Sequence, residues 1–252
     1  LQVTTLEGGT VNQLWRVATG AGDFVLRIDG PQARRPGVDR KREFLLHARA
    51  AAARLAPPIV AGSPDGGIMV SHFIHGRRWQ ATDCADRSAL RRLGEHLARV
   101  HELSAPAAPF EPLRIGQAYA AAAHVIQGPH TDAIPGLLEA IARAESRFGA
   151  DPAHRVIIHG DLNHLNVIET EQPWLIDWEY AQVADPLFDL GCLLAYYPEA
   201  QAQAGELLAA AGLAGPGQRS RLAIAAFIYQ ALSWLWQVAR DESPPGPPPT
   251  LA

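Results

Sequence analysis

Residues 155–178 read RVIIHGDLNHLNVIETEQPWLIDW. The apolar runs VII, NVI and WLI are strand-like and separated by polar turns, so the stretch is expected to form a small β island. Asp161 stands five residues before Asn166, and Asp177 follows the last apolar run. Two short segments joined by a turn thus carry a carboxylate, an amide and a second carboxylate. That set suits phosphoryl transfer, in which a protein aligns the attacking hydroxyl and neutralises charge around the phosphates. Magnesium takes oxygen ligands, which Asn166 and Asp177 supply beside nucleotide oxygens and water. Asp161 is left to receive the hydroxyl proton. The plainer alternative is that Asp161, Asn163 and Asn166 only stabilise a turn by bonding their own backbone. The ordered set favours the catalytic role. His159 reads as a brace of the loop, with a general base as the alternative.

Upstream, the segment from Thr4 to Ile28 alternates short β-branched and aromatic runs with Gly8-Gly9 and Gly20-Ala21-Gly22-Asp23, as two or three antiparallel strands do. Asp39 to Leu55 has helical composition and spacing, and Pro57-Pro58 ends it. PIVAG and IMVSHFI then read as strands around the turn SPDGG. Residues 1–75 are therefore expected to be a small sheet with one helix. Residues 76–240 are mostly helical: 83–103 places Leu90, Leu93, Leu97 and Val100 on one face, and Ala-rich segments cover 116–127, 134–148 and 199–212. Residues 241–252 are dominated by proline and read as an extended or disordered tail.

The chain has 252 residues, 48% of them apolar, enough to bury one core or two lobes around a cleft. Its net charge of -4 leaves no basic surplus for a nucleic-acid backbone, and Arg40-Lys41-Arg42 is the only basic run. Cys84 and Cys192 lack metal-type spacing and read as reduced thiols of a cytoplasmic protein. No stretch has the apolar length of a bilayer span, so no membrane partner is expected. Oligomeric state leaves no trace in the sequence.

On the H-G-D-x-x-x-x-N pattern of His159 to Asn166 and the I-D-W of Ile176 to Trp178, the chain resembles the aminoglycoside phosphotransferase and choline kinase superfamily, over nearly its whole length. The resemblance implies an α+β, two-lobed, protein-kinase-like fold: a small antiparallel β-sheet lobe for ATP and a larger, mainly helical lobe for the acceptor. It assigns the catalytic role to Asp161 and Mg2+ to Asn166 and Asp177. In DPLFDLG it makes Asp189 a structural support of the catalytic loop. In the small lobe it makes Gly8, Gly9, Thr10 and Asn12 a phosphate-covering turn, although a Gly-Gly pair also suits a plain hairpin. The strand cation falls on Arg27, which resembles choline, ethanolamine and thiamine kinases, and its partner on Glu43, otherwise an ordinary helix residue. Adenine is expected along Ser71 to Ile74, which places Ser71 and Phe73 in the nucleotide site.

For the acceptor, a small molecule with a hydroxyl and a positive charge is expected. Tyr229 and Trp236 are seven apart in the last helical segment and share a face, with Trp234 pointing elsewhere. That region resembles choline kinases, whose late-helix tryptophans hold a quaternary ammonium, although rings there also serve to pack a core. Glu179 is the acidic candidate for a cationic acceptor. An aminoglycoside acceptor at a 3'-type hydroxyl and a non-catalytic, nucleotide-binding pseudokinase are the alternatives. A protein kinase is disfavoured, since Gly160 and Glu179 replace its Arg and Gly.

Overall fold

The computed structural model describes residues 1–6, 11–31, 33, 36–106, 108–126 (backbone alone for 124–126), 130–149, 151, 154–240 and 246–251. The small lobe is one antiparallel sheet of β1 (Gln2–Thr5), β2 (Asn12–Thr19), β3 (Gly22–Asp29), β4 (Ile59–Ser63) and β5 (Ile68–His72), in the order β1-β2-β3-β5-β4. Helix α1 (Arg40–Ala52) begins at Asp39, whose carboxylate accepts the Lys41 and Arg42 amides. Such a cap satisfies donors that have no partner within the helix. α1 turns Leu46, His47 and Ala50 inward.

The large lobe is built from α2 (Arg87–His101), α3 (Pro112–Ile126), α4 (Ile134–Phe148), α5 (Leu187–Tyr196), α6 (Ala204–Ala210) and α7 (Gln218–Val238). Its core includes Leu90, Leu93, Leu97 and Val100, the α2 face expected from their spacing. α5 and α7 approach so closely at Gly191 that a Cβ there would lie 2.7 Å from the Ala225 Cβ. This contact sets α5 firmly beneath the turn that follows residue 158. The island forms β7 (Val156–Ile158), β8 (Val167–Glu169), β9 (Pro173–Leu175) and β10 (Gln182–Ala184). β7 pairs with β10, while β8 lies between β9 and β6 (Arg77–Arg78), the first segment after the hinge.

Two expectations need correction. Residues 83–103 are not one helix: a 3-10 turn over Ala81–Ala85 precedes α2, because Asp86 closes that turn and caps α2 by accepting the Ala89 amide at 2.7 Å. The segment 199–212 is likewise divided, into a 3-10 stretch Pro198–Gln203 and α6. The described part of the proline segment, 246–251, has no helix or strand, as expected, and lies on the body of the protein. There the Trp234 indole N–H donates to the Gly246 carbonyl at 3.4 Å and Leu251 packs on the core. Among the described residues, no helix is long and apolar enough to cross a membrane.

Candidate active site

The turn between β7 and β8 has little freedom. Gly160 has φ +78°, and a Cβ there would meet the Tyr180 carbonyl oxygen at 2.6 Å, so the position calls for glycine on both counts. The buried Asp189 carboxylate, projecting from the first turn of α5, accepts the His159 amide at 3.1 Å and the Gly160 amide at 2.9 Å, and pairs with His101 at 3.0 Å. The His159 ring donates from Nε2 to the Ile176 carbonyl at 2.9 Å and accepts the Asp161 amide on Nδ1 at 3.3 Å. Burial pushes its pKa down, so the ring is neutral, and neither nitrogen remains for proton transfer. Its edge meets Trp178, which also lies near His47 of α1, so a buried indole ties the two lobes behind the loop.

Asn166 fixes the Asp161 side chain. Its amide nitrogen donates to Asp161 Oδ2 at 2.8 Å and to the Asp161 carbonyl at 2.9 Å, so the amide oxygen is the Asn166 atom that could serve a metal. Asp177, at φ +63°, is half-buried, and its Oδ1 is buried with no hydrogen-bond partner. Burial, then the neighbouring Glu179 charge, push its carboxyl well above the usual range. A buried carboxylate with an orphan oxygen is costly unless a cation or proton compensates it, so Asn166 and Asp177 fit a divalent metal. Among the described residues no cluster of three or more His, Cys, Asp or Glu is arranged to hold a metal alone. The remaining oxygens would come from phosphates and water.

On the nucleotide side, Arg27 of β3 forms a two-pronged ion pair with Glu43 of α1, one prong at 3.0 Å. Asn12, Ser71 and Phe73 line the same cavity. The Phe73 amide donates to the Asp23 carbonyl at 2.9 Å, and its ring carries the Arg16 guanidinium at 4.6 Å. Gly8, Gly9 and Thr10 lie outside the described residues. Glu179 is buried and turned toward the small lobe, where its Oε2 accepts from Arg40 at 3.0 Å and from Asn12 at 3.4 Å.

Arg40 was visible in sequence only as part of a basic run. In the fold it joins four groups: Asp29 at 2.9 Å, Asn12 at 3.0 Å, Glu43 at 2.8 Å and Glu179 of the large lobe. Its position three residues before Glu43 on one helix was the available signal. Removing the cation takes from the buried Glu179 its arginine and from the buried Glu43 one of its two, beside Asp177. Arg40→Ala is therefore expected to cost about 3–5 kcal/mol in chemical denaturation. A loss under about 1 kcal/mol, the value of a surface pair, would show that the lobes do not depend on this contact.

One cavity of about 960 Å³ runs from the Arg27–Glu43 pair past Asp161 to α7. Its α7 end is aromatic. Tyr229 is stacked on Phe110 with centroids 5.7 Å apart and planes at 17°. Trp236 lines the cavity with the Arg240 guanidinium 4.5 Å over its ring, and its indole nitrogen is buried without a hydrogen-bond partner. Trp234 does not point elsewhere: its indole lines the same cavity, beside Pro247 and Pro249. Two tyrosines at the end of α5 went unnoticed in the sequence. Tyr197 accepts the His164 amide at 2.9 Å, and the Tyr196 hydroxyl donates to Asp161 Oδ1 at 3.0 Å. Tyr196 is seven residues from Asp189, two helical turns along the same face, and that spacing was the missed signal.

A sheet lobe with a strand cation paired to a helix Glu, over a loop presenting Asp161, Asn166 and Asp177, defines a kinase-like phosphotransferase that acts on an alcohol group. The chain belongs to the phosphotransferase enzyme family, whose model matches residues 2–227. It is similar in structure to a choline/ethanolamine kinase family protein from Mesorhizobium loti, with 28% identity and a TM-score of 0.78 over 95% of this chain and 81% of that one. It is also similar to the choline kinase LicA from Streptococcus pneumoniae, with 22% identity and a TM-score of 0.77 over 95% and 85% of the two chains. LicA is also known in complex with AMP. A macrolide 2'-phosphotransferase from Brachybacterium faecium shares the fold at 20% identity and a TM-score of 0.62, over 97% and 93%.

Proposed function

We propose that this protein transfers the γ-phosphoryl group of ATP to a hydroxyl of a small amino alcohol of the choline, ethanolamine or thiamine type, with Mg2+ as cofactor. The observation that carries this reading is the shared cavity, in which Asp161 faces both a phosphate-binding set and a wall of aromatic rings. Asp161 orients the acceptor hydroxyl and takes its proton as the oxygen attacks phosphorus and the bond to ADP breaks. Asn166 holds the Asp161 carboxylate in place, and Arg27, kept in position by Glu43, offers its guanidinium to the phosphates. Mg2+, held by Asn166 and Asp177, would neutralise phosphate charge. Tyr229, Trp236 and their neighbours supply π faces for a small cation.

Four carboxylates line the cavity: Glu43, Asp161, Asp177 and Glu179. Two of them are already tied to arginines. That supply suits one positive charge better than a polycationic aminoglycoside. In a coupled ADP-release assay with Mg-ATP, choline, ethanolamine or thiamine is expected to give turnover well above any aminoglycoside. Turnover confined to aminoglycosides would reverse the choice of acceptor.

A further inference from the structure

The two oxygens of the Asp161 carboxylate are not equivalent. Oδ2 accepts from Asn166 at 2.8 Å and from Asn163 at 3.3 Å, so it is committed to the loop. Oδ1 is left for an acceptor hydroxyl, and there the Tyr196 hydroxyl donates at 3.0 Å. Tyr196 thus occupies the place on the base that a substrate hydroxyl, or a water, would take. The Asp161 charge holds the phenol well above its ordinary pKa, so it stays a protonated donor. Tyr196 is the last residue of α5 and its side chain is 44% exposed, so the ring has room to leave. Tyr197 beside it is pinned to the loop through His164, so departure of Tyr196 need not disturb the catalytic turn.

We infer that Tyr196 is a guard on the catalytic base: its hydroxyl fills the Asp161 Oδ1 position until an acceptor displaces it, and so keeps water from attacking ATP. The inference rests on the kinase reading above and adds a positioning residue that governs coupling. An unguarded base in a cleft open to solvent would activate water, and excluding water is how enzymes suppress such side reactions. The reaction held back is hydrolysis: a water oxygen bonds to the γ-phosphorus, the bond to ADP breaks, and the water proton passes to Asp161.

The test compares acceptor-free ATP hydrolysis with acceptor phosphorylation in wild type, Tyr196→Phe, and Tyr196→Phe combined with Asp161→Asn. The Phe variant keeps the ring and removes the hydroxyl. Its hydrolysis without acceptor is expected to rise at least about tenfold, a modest part of what general-base activation supplies. The rise should vanish in the double variant. A purely structural role for Tyr196 would lower both activities together and would not move their ratio. Unchanged or lower hydrolysis in Tyr196→Phe, with wild type still phosphorylating an acceptor, overturns the guard and leaves the kinase reading intact. Increased hydrolysis that persists without Asp161 also overturns it. So does stoichiometric phosphate on Tyr196 of the wild type incubated with Mg-ATP, since the phenol would then be an acceptor. Failure of wild type to phosphorylate any acceptor sinks the kinase reading and the guard with it.

Discussion

Asp161→Asn is expected to lower kcat by about 10²- to 10⁴-fold, the range for removing a positioned general base. The amide keeps the shape of the carboxylate and can still bond Asn166, so the loop holds while the proton acceptor is lost. Nucleotide affinity should change little, because no Asp161 atom is assigned to the nucleotide. Steady-state kinetics with a parallel nucleotide-binding titration separates the two effects. A loss of less than tenfold would mean that the acceptor hydroxyl gives its proton elsewhere. An equal loss of nucleotide affinity would mean that Asp161 shapes the phosphate site instead.

The second large effect falls on a residue that never meets substrate. Asp189 is fully buried and satisfies two backbone amides of the catalytic turn together with His101. Replacement by alanine leaves those donors without a partner in the core, at roughly 1–3 kcal/mol for each unsatisfied group. Asp189→Ala is expected to lose about 3–5 kcal/mol, comparable to breaking a buried ion pair. In a chain of this size that corresponds to a fall of roughly 10 °C in Tm. Activity should fall with it, since His159 and Gly160 aim Asp161. Asp189→Asn keeps one acceptor oxygen and should lie between. A melting curve for Asp189→Ala within about 2 °C of wild type would show that the turn is held by other contacts.

Much of this architecture was legible because local chemistry agreed with the tertiary outcome. The α2 face of Leu90, Leu93, Leu97 and Val100 is buried as its helical period demands, and the β island carries the polar set in the order read from sequence. What escaped was long-range or ambiguous. Asp86 serves as both the end of one turn and the cap of the next helix, which composition alone does not disclose. Arg40 showed only as part of a basic run because its partners Asp29 and Glu179 come from other elements. His101 meets Asp189 across 88 residues, with no local trace. Trp234 was set aside on helical angle, yet the cavity wraps far enough around α7 to touch it. The proline content of 246–251 reported the lack of helix and strand there but not the wall it lies on.

In the proposed function, one cleft joins a nucleotide's γ-phosphoryl group to an alcohol through Asp161. ³¹P NMR of the protein with Mg-ATP and each candidate amino alcohol in turn follows that transfer directly. A new phosphomonoester resonance of one acceptor is expected, growing in equal proportion to ADP and absent with Asp161→Asn. Unchanged ATP signals in the presence of bound nucleotide, with no phosphomonoester from any acceptor, would contradict it and mark the chain as a binding protein that keeps the fold without the reaction.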